Sequence, residues 1–203
     1  TLAQNQCINV PKLKLFVEIQ RPSGTITLLP QNIIKKLPYL EKPSLIDYVL
    51  NRHSVLLTLT PVGYMAIPIN EDELRDAIRD VLVAVEKLHK MNVVHRDIRR
   101  DNIVRLLDGS WMLIDFEEVA RIGDSRTAFS VAAPEYKGGQ DFCNTAGDIW
   151  MVGNLLNDSR ICDHIHIFPS AQQFRDKLTH ENPNKRPTAD EALRHEWLIM
   201  PTS

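Results

Sequence analysis

The most regular alternation of apolar and polar positions lies between residues 70 and 90, where Leu74, Ile78, Val81, Leu82, Val85 and Leu88 recur at spacings of three and four. That period places all six on one stripe of a helix. Asn70 and Glu73 make a capping-box-like start, and Glu71, Asp72 and Glu73 put negative charge at the positive end of the helix dipole. Residues 87–90 bring cations to the last turn. Next come two β-like runs, residues 103–107 and 111–114, separated by Asp108-Gly109-Ser110, which predicts a hairpin. With Leu107 facing Trp111 across the turn, residue 103 falls opposite residue 115. Further helices are predicted near residues 148–156, 171–178 and 189–199. Before residue 70 the pattern is short and broken by prolines. Residues 12–20 alternate weakly, Arg21-Pro22-Ser23-Gly24 reads as a turn, residues 25–29 return as a hairpin partner, and residues 55–60 form a second β-like run. No internal repeat or low-complexity tract is present.

Charge and composition sharpen this division. Residues 1–70 hold seven of the twelve prolines and seven Lys/Arg against three acids, whereas the remainder holds 17 Lys/Arg against 23 acids. The 203 residues suit one compact domain or two small lobes sharing a seam. A net charge of −2 argues against a basic nucleic-acid-binding surface. A chain that is 43% hydrophobic and 25% charged is expected to fold, and no run of 18 apolar residues could span a membrane. The start at Thr1 shows no basic region followed by an apolar stretch, so no secretory signal is expected. Cys7, Cys143 and Cys162 are odd in number and far apart, which fits reduced intracellular thiols better than disulfides or a zinc framework. An intracellular protein, cytoplasmic or nuclear, is the expectation.

The candidate chemistry gathers around the predicted hairpin. Asn102 and Asp115 flank its open end, close enough to share one cation. Just upstream runs His95-Arg96-Asp97-Ile98-Arg99-Arg100-Asp101-Asn102, a loop between the long helix and the first hairpin strand. Carboxylate and carboxamide oxygens converging in this way suit Mg²⁺ held jointly by protein and phosphate.

Here the sequence resembles the eukaryotic protein kinase family. His95-Arg96-Asp97 followed by Asn102 matches the catalytic loop, and Asp115-Phe116-Glu117 stands where the family has Asp-Phe-Gly. Ala133-Pro134-Glu135, Asp148-Ile149-Trp150-Met151-Val152-Gly153, Asn184-Lys185-Arg186-Pro187-Thr188 and His195-Glu196-Trp197-Leu198 follow in family order over about half the chain. The resemblance implies an α+β, protein-kinase-like fold, with a reduced β-rich N-lobe and hinge over residues 1–63 and a mostly helical C-lobe over residues 64–203. It implies ATP and Mg²⁺ as cofactors and a protein as substrate or binding partner, with neither nucleic acid nor membrane. Asp97 would accept the substrate hydroxyl proton or orient that hydroxyl, and Arg99 would meet the transferred phosphoryl group. Asn102 and Asp115 would hold Mg²⁺ against the phosphates. His95 is expected as a packed core residue, Glu135–Arg186 as a buried salt bridge, and Asp148 as an acceptor of backbone hydrogen bonds beneath the catalytic loop. Asp97, by contrast, is expected to support little packing. Arg96 would bind a phosphorylated activation segment or form an ordinary ion pair. Ser125, Thr127 and Ser130 are the candidate phosphate acceptors, with solvated loop hydroxyls as the plainer reading.

Departures from the family pattern bear on function. No Gly-x-Gly-x-x-Gly is present, since Gly24 and Gly63 are the only glycines before residue 109. No Val-Ala-Ile-Lys occurs, and Lys14 is a poor substitute. Asp148 and Arg186 are only 38 residues apart, which implies shortened helices. Two alternatives to an active kinase follow: a pseudokinase used as a scaffold or binding module, or an aminoglycoside- or choline-type phosphotransferase, favoured by Glu117 alone. Val94-His95-Arg96-Asp97-Ile98-Arg99 and Ile114-Asp115-Phe116-Glu117 are nearest to fungal and oomycete effector-associated kinase-like domains, which adds a delivered effector to the readings of location.

Overall fold

The computed structural model describes residues 63–124, 133–137, 143–162, 165 and 168–199, together with four strands before residue 60. Those strands form two antiparallel pairs. β1 (Ile19–Arg21) pairs with β2 (Gly24–Ile26), so that Arg21 and Gly24, expected in a turn, pair as strand residues, and β3 (Leu45–Leu50) pairs with β4 (Val55–Leu59). β3 escapes the sequence reading because Leu45-Ile46-Asp47-Tyr48-Val49-Leu50 has no clean period of two, and its register shifts near Asp47. Lys14, with the rest of residues 12–18, lies outside the described residues.

The C-terminal part is built around α1 (Glu71–Lys90). Asn70 caps it by accepting the Glu73 N–H at 2.8 Å, and Glu73 reaches back to the Ile69 N–H at 3.1 Å, one residue before the cap. The predicted stripe is buried without exception, from Leu74 to Leu88. Met91 closes the helix, and Asn92 follows at φ 61°, the left-handed conformation that asparagine tolerates well. The chain then enters β6 (Val93–Val94).

β7 (Ile103–Leu106) and β8 (Trp111–Leu113) form the hairpin, and β5 (Gly63–Tyr64) joins the edge of β7 to complete a three-stranded antiparallel sheet. The register differs from the expected one. Ile103 pairs with Leu113 rather than with Asp115, and the Leu106 N–H donates to Ser110 at 2.8 Å. Two features of the turn cause this. Gly109 takes φ 91°, and the Asp108 carboxylate accepts both the N–H and the hydroxyl of Ser110, at 3.0 and 2.6 Å. Leu107 therefore belongs to the loop, where it is exposed, and does not pair.

Two more short elements frame the site: β9 (Ala120–Arg121), which pairs with β6, and α2 (Pro134–Lys137). α3 (Thr145–Leu155) is capped by Asn144, and α4 (Ser159–Cys162) follows closely. α5 (Pro169–Leu178) begins on a proline at its first turn, where the missing N–H costs nothing. The helix predicted over residues 189–199 is two: α6 (Ala189–Leu193) and α7 (Glu196–Ile199). A capping box between Thr188 and Glu191 starts the first, and the His195 ring accepts the Trp197 N–H at the start of the second. α1 packs on β8, α3 and α6, with Trp111, Phe174 and Trp197 fully buried in the shared core.

Candidate active site

The site is organised from below by one buried carboxylate. Asp148, on α3 and 1% exposed, accepts the N–H of His95 at 2.8 Å and that of Arg96 at 2.9 Å. His89, from the last turn of α1, adds a ring nitrogen at 3.0 Å. The expected backbone acceptor is thus present, and His89 is an additional partner that no local motif signals. Arg96 sits at φ 76°, a conformation costly for a residue with a side chain and held here by the two bonds to Asp148.

His95 is fully buried and pins the loop to the hairpin. Its Nδ1 accepts the Asp97 N–H at 3.3 Å, so its Nε2 carries the proton and donates to the Ile114 carbonyl at 3.2 Å. The ring meets Phe116 edge-on at 4.9 Å. Burial pushes the imidazole below its ordinary pKa, against the pull of the Asp148 and Asp97 carboxylates. A neutral, structural histidine is the result, as its sequence context implied.

Above this platform the structure brings Asp97, Asn102 and Arg99 together. The Asn102 amide donates to the Asp97 carbonyl at 2.8 Å and to its carboxylate Oδ2 at 2.7 Å. Arg99 Nε donates to the same Oδ2 at 3.3 Å. Asp97 is therefore tied into its surroundings more firmly than an acid aimed only at substrate, contrary to the expectation of little packing. Because the Asn102 side-chain nitrogen Nδ2 is committed to Asp97, its side-chain oxygen Oδ1 is the atom by which it could hold a cation. Asp115 lies alongside: the Ile114 N–H donates to the Asn102 backbone carbonyl at 2.7 Å, and Asp115 follows at φ 67° and ψ 69°. This left-handed residue opens the 3-10 turn Phe116–Glu118. The two-residue change of register thus leaves Asn102 and Asp115 at the hairpin's open end, with Ile114 rather than Phe116 opposite Asn102.

Arg100, which sequence reasoning passed over, is 5% exposed. Its guanidinium donates to the Ile103 carbonyl at 3.2 Å and to the Ala66 carbonyl, fastening the loop to the segment between β5 and α1. Arg96 approaches Glu118 at 4.0 Å, an ordinary ion pair. Glu135 and Arg186 form the expected buried bridge, with both guanidinium–carboxylate bonds at 2.8 Å. Ser125, Thr127 and Ser130, like the Glu117 side chain, lie outside the described residues.

The sequence matches the protein kinase domain over residues 30–159. The chain belongs to the protein kinase family. Among curated relatives of this kinase domain, Crinkler effector protein 8 of Phytophthora infestans is 37% identical over 145 residues, covering 68% of this chain and 24% of that protein. The calcium/calmodulin-dependent protein kinase cmkA of Emericella nidulans is 31% identical over 165 residues, covering 63% and 39%. A carbon catabolite-derepressing protein kinase of Secale cereale is 24% identical over 220 residues, covering 92% and 41%. The chain spans only about a quarter to two fifths of the length of these relatives. No described helix of the kinase domain is long and apolar enough to cross a membrane.

Proposed function

We propose that this kinase domain transfers the γ-phosphoryl group of ATP to a hydroxyl of a protein substrate. The observation that carries the reading is the joint hold of Asn102 and Arg99 on one oxygen of Asp97, at 2.7 and 3.3 Å. That hold leaves Oδ1 of Asp97 to accept a substrate hydroxyl proton. In the transfer the hydroxyl oxygen forms a bond to the γ-phosphorus, and the bond from that phosphorus to the bridging β-oxygen breaks. ADP leaves, and the proton passes to Asp97. Arg99, 43% exposed at its side chain, lies beside Asp97 and would supply positive charge to offset the negative charge on the transferred phosphoryl oxygens. Kinases of this family use Mg²⁺, and the donor set fits it: the Asn102 side-chain oxygen Oδ1 and the Asp115 carboxylate are hard oxygens at one end of the hairpin. Bound there, the ion would neutralise phosphate charge.

A pseudokinase acting as a binding module is the second reading, favoured by the lack of a Gly-x-Gly-x-x-Gly in these residues. The protein kinase match leaves little support for a small-molecule phosphotransferase. The likeness to a Crinkler effector protein supports a further proposal, that the domain serves a delivered effector. Incubating the full chain with Mg²⁺–ATP and a mixed peptide library, then locating phosphate by mass spectrometry, tests the reading. Phosphate on Ser, Thr or Tyr that is lost with Asp97→Asn supports a kinase. Nucleotide binding without any transfer supports the scaffold.

A further inference from the structure

A line of alternating charge runs from Asp97 across the surface to α4. Arg99 Nε reaches Asp97 Oδ2 at 3.3 Å, and Arg99 Nη1 reaches Asp101 Oδ2 at 3.6 Å. The other Asp101 oxygen takes Arg160 Nη1 at 2.7 Å. Arg160 then forks onto Asp158, with Nε to Oδ1 at 3.0 Å and Nη2 to Oδ2 at 2.7 Å. Asp158 also accepts the Arg160 backbone N–H at 2.9 Å, so the fork closes on itself at the start of α4.

Arg99 thus stands between two carboxylates that compete for it. Its contact with Asp97 is a hydrogen bond, while that with Asp101 is a longer ion pair. The balance depends on how much charge Asp101 has left to offer, and Arg160 sets that amount. Arg160 approaches Asp101 more closely than Arg99 does, and all three of its side-chain nitrogens are engaged in a planar geometry that a lysine cannot copy. Asp158 hydrogen-bonded to Arg160 is held below the usual carboxylate range, so the fork stays charged at neutral pH. Exposed ion pairs add little to stability, and Arg99, Asp101 and Arg160 are each 43–49% exposed. Their consequence is one of placement.

We propose that Arg160 is a positioning residue for the transfer: by neutralising Asp101 it keeps the Arg99 guanidinium on Asp97. The proposal rests on the reading of Asp97 and Arg99 as transfer machinery, yet the placement of Arg99 can be followed without turnover. In ¹⁵N-labelled full chain, the Arg99 Nε–H signal is assigned by its loss in Arg99→Lys. Arg160→Ala should move that signal and speed its solvent exchange at least about threefold, and adding Asp101→Asn should return both toward wild type. In the transfer assay the same variant should lower kcat by roughly three- to tenfold at unchanged KM for ATP, again restored by Asp101→Asn. An Arg99 signal indifferent to Arg160→Ala would overturn the proposal, as would a loss that persists in the double variant. A responsive signal in a chain that transfers no phosphate would uphold the placement and reject the kinase reading.

Discussion

At Asp148 one carboxylate gathers donors from a stretch of chain more than fifty residues away, the ring of His89 and the backbone N–H groups of His95 and Arg96. Removing it leaves buried backbone donors without their acceptor and releases the left-handed turn at Arg96. Asp148→Ala should therefore destabilise the fold by about 1–3 kcal/mol, read as a shift in urea midpoint at constant slope. His95 makes a different demand. Its folded-state pKa lies below the ordinary value of 6.5, so the unfolded chain takes up the proton more readily. The associated stability is fully present above about pH 6.5 and is lost as pH falls below it. His195, lowered mainly by its partial burial and then by Lys177, acts in the same direction. Thermal midpoints between pH 7.5 and 5 should fall for the wild type, and His95→Gln should flatten that slope whatever its effect on absolute stability. A slope unchanged by the substitution would remove His95 as its source.

Elements differ in how openly the chain displays them. α1 is legible because one strong period, one cap and a gradient of charge all point to the same helix. The hairpin is legible as a hairpin, but its register depends on Gly109 at positive φ and on which Ser110 groups Asp108 takes. Those are side-chain choices that no period encodes. The segment over residues 189–199 reads as a single helix because its apolar positions continue in phase through a break that His195 makes locally. Tertiary contact decides other positions. Gly153 shows no special backbone angle, yet a Cβ there would sit 2.7 Å from both Leu178 and Thr179, where α3 meets the end of α5. Gly153→Ala should cost about 1–3 kcal/mol through that clash, measured by denaturant unfolding, even though alanine is the better helix former. A stabilised variant would mean that the two helices can part without cost.

Across the whole molecule, the site was legible in residue identity more than in arrangement. The strings around Asp97, Asn102 and Asp115 signal a metal-assisted phosphoryl site because their oxygen donors recur in a known order. The supports beneath and beside it were not all so visible. Asp148 and the Glu135–Arg186 bridge follow from motif order, whereas His89, the buried Arg100 and the Arg160–Asp101 contact join residues that share no local pattern. Nucleotide binding should reflect the same division. With the oxygen donors present and no Gly-rich loop in these residues, Mg²⁺-dependent ATP binding is expected at a Kd on the order of 100 μM or weaker. Calorimetry should lose that heat in Asp115→Asn, and tight binding indifferent to Mg²⁺ would contradict this picture of the phosphate site.

The direct measurement is the rate of γ-phosphate transfer from saturating Mg²⁺–ATP to a protein acceptor, compared between wild type and Asp97→Asn. The substitution keeps the side chain's shape and an oxygen for Asn102 and Arg99 to bond, but removes the group that takes the proton. The account predicts a loss of about a hundredfold or more with ATP affinity retained. Equal rates in the two proteins, or no transfer from the wild type, would contradict it.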